Sequence, residues 1–269
     1  MKTAIQNQLN AAPSRVLYYT VTLTIFLILL IWSAAALDLK LVDESGRSIA
    51  AGIIWGLLQP DLDLLFDFSS KGVLYLLAET VAIAFLGTVI GAFLAIPFAF
   101  LSASNIVSSK VSFLFRILLI VIRTVPALVY GLMFIRVTGP GAFAGVLTIS
   151  LASIGMLSKL YADAIENLDT RVFESMSSMG CSTFEKIRYG IIPQLFSIFL
   201  SIVIYRFDMN LREASILGLV QAGGIGAPLI FAMNAYRWSE AGSILIGLIL
   251  LILLTELFSN KMRSKLIKG

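Results

Sequence analysis

From Val16 to Leu37 the chain carries no charge, and 22 residues at roughly 1.5 Å each reach across a bilayer core. Five further apolar segments follow, at about 73–101, 113–136, 141–162, 191–208 and 241–258. Repeated stretches of that length require an all-α membrane protein with about six transmembrane helices. Composition agrees: 58% of the 269 residues are hydrophobic and 13% charged, whereas a soluble domain carries about 25% charge. Ser33-Ala34-Ala35-Ala36 resembles a signal-peptide cleavage site. The apolar stretch before it is longer than a usual signal core, so an uncleaved span is the preferred reading.

Three regions are expected. Residues 1–72 hold a polar tail with Lys2 and Arg15, the first span and an outer segment, 38–70, with six acids against Lys40 and Arg47. Within it Ile53–Leu58 is too short to cross, and Trp55 suits an interfacial helix. Residues 73–260 form the core domain. Its second span carries Gly87-x-x-x-Gly91, a close-packing motif, and Pro97; the third contains Arg123 and Pro126. The fourth is rich in Gly, Ala and Ser, which suits the inside of a bundle. Residues 261–269 are a basic tail with Lys261, Arg263, Lys265 and Lys268. Six spans put both termini on one side. The basic tail, with Lys110, Arg116, Lys186 and Arg188, makes that side cytoplasmic by the positive-inside rule.

Several chemistries are excluded. The sequence has no histidine, which removes the commonest transition-metal ligand and the near-neutral proton relay. Its one cysteine, Cys181, has no internal disulfide partner and reads as a small packing residue. No Gly-x-x-x-x-Gly-Lys-Ser/Thr loop occurs, so ATP, if used, is bound by another chain. Gly223, Gly224 and Gly226 lack the Gly-x-Gly-x-x-Gly spacing and a preceding strand; they read as a packed turn or a gate loop. No catalytic set, metal site or nucleic-acid partner is expected.

Between the fourth and fifth spans lies a polar island, Glu174 to Pro193. Ser182 and Glu185 have the Ser-x-x-Glu spacing of a capping box, so a helix should start there. Gly180 suits the end of a preceding helix. Glu174, Gly180 and Pro193 are spaced as in the cytoplasmic "EAA" loop of ABC-importer permeases, with Ser175 and Met176 in place of the two alanines and Gly190 at a usual isoleucine. The segments Arg123–Val129, Phe143–Leu147, Lys159–Tyr161, Glu166–Asp169, Arg188–Gln194 and Arg212–Gly226 are similar to the phosphonate-importer permease subfamily.

The resemblance implies a type I importer permease of a prokaryotic cell membrane, pairing with a second permease subunit. Two ATPase subunits would bind ATP and Mg, and an extracytoplasmic substrate-binding protein would deliver phosphonates or related small phosphorus oxyanions. Glu174, Ser175, Met179, Gly180, Ser182, Glu185 and Pro193 would then form the ATPase-coupling loop. A permease for another small solute is the alternative. A stand-alone secondary transporter is disfavoured by few spans, no visible inverted repeat and scarce acids, Glu79 and Glu256 lying near span ends. A membrane enzyme is disfavoured by the lack of histidine and of any nucleophile–base set.

Arg123 sits inside an apolar span, so it should face protein or a wet cavity. Either it bonds carbonyls or an acid, or it guides an anion. Pro126, Arg206 and Arg212 join it as pathway candidates. Arg206, Asp208, Arg212 and Glu213 are expected near the outer mouth, pairing with one another. Lys159 and Glu256 are expected near the cytoplasmic ends, snorkelling or paired.

Overall fold

A computed structural model describes residues 16–36, 44–168 and 170–268. The expectations for the tail at 1–15, for residues 37–43 with Lys40, and for Asp169 lie outside the described residues. By contacts the chain divides into two units, Met1–Ile49 and Ala50–Gly269. The first contains α1 (Val16–Ala36), which buries none of its residues. Its threonine hydroxyls are satisfied within the helix: Thr22 and Thr24 each donate to the carbonyl four residues back at 2.8 Å. The helix α2 (Glu44–Leu58) begins in this unit and ends in the second. It is longer than Ile53–Leu58, but its 15 residues, about 22 Å, still do not cross a bilayer core.

In the second unit α3 (Leu62–Phe66) is capped by Asp61, whose Oδ1 accepts from Leu64 N at 3.1 Å. Then come α4 (Val73–Ser102), α5 (Ser109–Thr124), α6 (Ala127–Thr138), α7 (Ala142–Glu166), α8 (Thr170–Ser178) and α9 (Thr183–Glu185). A π-helical turn (Lys186–Ile191) leads into α10 (Ile192–Leu217), followed by α11 (Gly226–Asn234) and α12 (Trp238–Lys268). Among the described residues five helices are long and apolar enough to cross a membrane, or six spans if α5 and α6 count as one broken span.

That broken span corrects one expectation. The run from 113 to 136 is not a single helix: α5 and α6 meet at 82°. Pro126 has no N–H to continue α5, and it forces the residue before it out of helical geometry. Val125 is accordingly extended, at φ −83° and ψ 122°. Pro97, by contrast, stays inside α4.

The core is built on α4 and α7. Gly87 rests on Ile149, and Gly91 rests on Ser153; a Cβ at Gly91 would lie 2.7 Å from Ser153 Cβ and 2.9 Å from Ser150 O. In lipid little hydrophobic force separates helix–helix from helix–lipid contact, so such close approach is what stabilises the pair. Both contacts rise together in sequence, so α4 and α7 run in the same direction, and α5 with α6 must return the chain between them. The fourth span lies inside the bundle as its small residues suggest: Ile149, Leu157 and Ile165 are fully buried. At the end carrying α8, here the loop end, Leu195 of α10 packs into a cluster with Ala99, Tyr161 and Ile165, and the Tyr161 and Phe199 rings stack at 4.2 Å.

A second correction concerns the charges on α10 and α12. The fifth span does not stop at Asp208; α10 continues to Leu217, so Arg206, Asp208, Arg212 and Glu213 lie inside a helix, not at an outer mouth. Arg212 lies 3.8 Å from Glu256, so these two share one level and Glu256 is not at a span end. Arg263 also stacks over Tyr205, 5.4 Å from the ring centre. The two pairings run α10 and α12 antiparallel and carry the basic end of α12 toward the loop end. The expected pairing does hold: Arg212 with Asp208 at 2.7 Å, Arg206 with Glu213 at 3.1 Å, and Lys159 with Asp163 at 3.7 Å.

Candidate functional site

Two places concentrate polar chemistry: the loop between α7 and α10, and the break in the third span. In the loop, α8 ends where Gly180 takes a φ of +80°, a conformation side chains resist. Gly180 N donates to Ser177 O at 3.0 Å and Cys181 N to Met176 O at 3.1 Å, closing the helix. The capping box then forms as its spacing predicts. Glu185 N donates to Ser182 Oγ at 3.4 Å, and Ser182 N to Glu185 Oε2 at 2.7 Å. Pro193, with no N–H to give, stands at the start of α10, just past the π turn. Ser175 spends its hydroxyl on Arg171 O at 2.8 Å.

The loop presents an unusual surface. Met179 is 72% exposed, Phe184 68% and Tyr189 66%, while Glu174 is also exposed. Glu174 and Lys186 line a recess of about 290 Å³ with Asn105 and Ile106, which belong to the turn between α4 and α5. That turn is clamped from α7. Glu166 accepts from Ser104 N and Oγ at 2.6 Å each and pairs with the Arg116 guanidinium, whose Nε donates to Ser102 O at 3.0 Å. Asn105 Nδ2 donates to Ile165 O at 2.9 Å. The sequence gives no local signal for Asn105; Arg116 stands out in it as one of the basic residues on the expected cytoplasmic side, and Glu166 as the start of one of the segments similar to the importer permeases.

The break opens a second recess, of about 250 Å³, lined by Arg123, Pro126, Ala127, Met156, Arg206 and Glu213. Three of the four pathway candidates therefore meet there. Arg206 is only 5% exposed; it donates to Glu213 Oε2, to Ser153 Oγ at 3.3 Å and to Met156 Sδ at 3.3 Å. The Arg123 stem lies over Gly155, where a Cβ would come within 2.7 Å of its Cγ. Tyr130 Oη donates to Ile122 O at 3.0 Å and pins the bend. Arg212 does not join them. It points to the other face of α10, toward Asp208 and Glu256.

The candidate gate segment is a packed turn. Gly223 has φ +82°, and a Cβ on it would lie 2.6 Å from Ala142 Cα. Ile225 N donates to Thr80 Oγ1 at 3.0 Å, beside Gly224, and Gly226 lies against Gly218.

The family described as "binding-protein-dependent transport system inner membrane component" matches residues 95–262, which contain both the loop and the broken span. The chain is 32% identical over 189 residues to a phosphite transport system permease protein, PtxC, of Stutzerimonas stutzeri, covering 70% of this chain and 69% of that one. It is 33% identical over 237 residues to a phosphate-import permease protein, PhnE, of Mycolicibacterium smegmatis, covering 88% of this chain but only 43% of that longer protein. In fold it resembles an inward-facing structure of the MetNI methionine ABC transporter, with a TM-score of 0.64, 17% identity, and 72% of this chain and 95% of that one covered. With its helices, its interspan loop and more than half its length in agreement, the chain belongs to the family of binding-protein-dependent transport system inner membrane components.

Proposed function

We propose that this chain is the membrane-spanning permease subunit of an ATP-driven importer for small phosphorus oxyanions: phosphonates, phosphite or phosphate. The observation that carries the reading is the loop at Glu174–Pro193, a helix stopped at Gly180 and restarted by a capping box, with large apolar side chains exposed on the same loop as Glu174. Exposed Met179 and Phe184 on a polar loop are what a docking partner would cover. The cargo class is supported by the phosphite and phosphate relatives.

In this reading the loop end, the basic end of α12 and both termini face the cytoplasm of a prokaryotic cell. A second permease subunit completes the pathway, two ATPase subunits hold ATP and Mg, and a binding protein delivers cargo from outside. Closure of the ATPase pair draws the two coupling loops together and turns the cavity outward; hydrolysis resets it. This chain moves with the cycle but performs no chemistry.

Reconstitution of the assembled complex with its binding protein tests the proposal. Uptake of phosphite, methylphosphonate or phosphate should require ATP and the binding protein. Transport by the lone chain in liposomes would overturn the coupling role, and import of an unrelated solute alone would overturn the cargo class.

A further inference from the structure

A broken span leaves backbone groups without helical partners. The last carbonyls of α5 and the first N–H groups of α6 belong to that class. Tyr130 Oη satisfies one carbonyl, that of Ile122. No side chain caps α6; its N-cap is Pro126, and Val129 N and Tyr130 N turn back to Pro126 O at 2.9 and 3.4 Å. The N–H groups of Ala127 and Leu128 are the ones such a start leaves over, at the positive end of a 12-residue helix. Ala127 forms part of the recess wall.

Two guanidiniums face the same space. Arg206 is buried and carries Glu213 as its counter-ion. Arg123 is exposed in this single chain and, among the described residues, has no carboxylate partner. Two arginines and one glutamate give the lining a formal charge of +1. Ala152 and Met156 place the recess near the middle of the 25-residue α7, a depth that lipid headgroups do not reach and where a charge facing lipid is costly. A recess of about 250 Å³ has room for a small hydrated anion, since water takes about 30 Å³ per molecule. Arg123 also lines a second recess, of about 210 Å³, with Arg116, Lys159 and Asp163 toward the loop end.

We propose that the break in the third span is a transit site for a tetrahedral phosphorus oxyanion, bound by Arg123, Arg206 and the free N–H groups at the start of α6. Glu213 occupies Arg206 when cargo is absent and yields it when cargo arrives. Arg123, shared by both recesses, passes the anion toward the second. Half-helix starts serve anionic substrates in this way in other broken-span transporters. The inference rests on the cargo class proposed above and adds the place and the residues.

The test uses the complete transporter with its binding protein. Arg123→Gln should assemble, keep ATP hydrolysis stimulated by loaded binding protein, and lose uptake of methylphosphonate at least tenfold. Arg123→Lys keeps the charge without the planar fork and should retain a third or more of uptake. Independently, Ala127→Cys in a Cys181→Ser background should react with an anionic thiol reagent, and methylphosphonate should slow that reaction. Adding Glu213→Gln should lower the methylphosphonate concentration that gives half protection. Unchanged uptake in Arg123→Gln, loss of the assembled complex in Arg123→Lys, or no protection at Ala127→Cys would each overturn the transit site. A wild-type complex that imports none of the phosphorus oxyanions would instead sink the cargo reading, and this site with it.

Discussion

Asn210 of α10 donates its side-chain amide to Thr88 Oγ1 of α4 at 2.7 Å, across 122 positions of sequence. The same nitrogen donates to Ser153 Oγ of α7 at 2.8 Å, so one side chain ties the three central helices together. All three residues are at most 1% exposed. Arg206, four residues before Asn210 and on the same face, shares Ser153, so the seam also holds one wall of the charged recess.

Asn210→Leu should therefore lower stability, but by less than two lost hydrogen bonds suggest. Interhelical bonds in membranes are worth about 0.6–2 kcal/mol each. The Asn210 Oδ1 is itself buried without a partner, and leucine removes that liability. A net loss of about 1 kcal/mol is expected, read as a lower thermal midpoint of the purified protein. Adding Thr88→Val to Asn210→Leu should cost almost nothing more. A fully additive second loss would show that the two residues act separately.

Coupling should depend on the loop without folding depending on it. Glu174 is exposed, and a Cβ on Gly180 would meet nothing within 4 Å, so Glu174→Ala and Gly180→Leu disturb no packing. Gly180→Leu does strain a positive φ, at a cost of about 1 kcal/mol confined to the loop. Both variants should insert at wild-type levels and show roughly tenfold lower uptake and stimulated ATP hydrolysis. Wild-type uptake by both at equal expression would remove the loop from the coupling path.

What the sequence discloses here depends on range. The capping box at Ser182 and Glu185 and the stop at Gly180 are set by neighbours within a few residues, so spacing alone locates them. Gly87 and Gly91 are legible for a similar reason: small residues one turn apart signal close approach. Pro126 carried the signal for a break, but the apolar run continuing through it masked the bend. Charged residues mark span ends in most membrane chains, and that habit misplaces Arg212 and Glu256, which pair with each other inside two helices. Asn105 beside Glu174 depends on how the α4–α5 turn docks, and no local pattern encodes that.

Cys181 should report which side the loop faces. Its thiol is free and partly exposed, directly after Gly180. An impermeant thiol reagent should leave it unlabelled in intact cells and label it once the membrane is opened. Because α12 carries its basic end toward the same end of the bundle, one measurement places both. Ready labelling from outside would invert the whole layout.

Arg212 should matter more than either of its carboxylates. It bonds Asp208 Oδ2 at 2.7 Å and lies 3.8 Å from Glu256, so one cation serves two acids inside the span. Asp208 is the more confined acid, at 13% side-chain exposure, and its Oδ1 is buried without a partner. Removing Arg212 strands both acids, whereas removing Glu256 leaves the shorter pair intact. Breaking a fully buried pair costs about 3–5 kcal/mol. Arg212 and Glu256 are half exposed in the single chain, at 45% and 50%, which brings the expected loss for Arg212→Gln down to about 2 kcal/mol. Glu256→Gln should stay within about 0.5 kcal/mol of wild type by the same reasoning. Asp208→Asn made together with Arg212→Gln should recover most of the loss, since no acid is then left confined. The thermal midpoints and yields of the four proteins decide it. Equal losses for Arg212→Gln and Glu256→Gln would mean that Asp208 does not depend on the arginine, and the shared-cation arrangement would have to be abandoned.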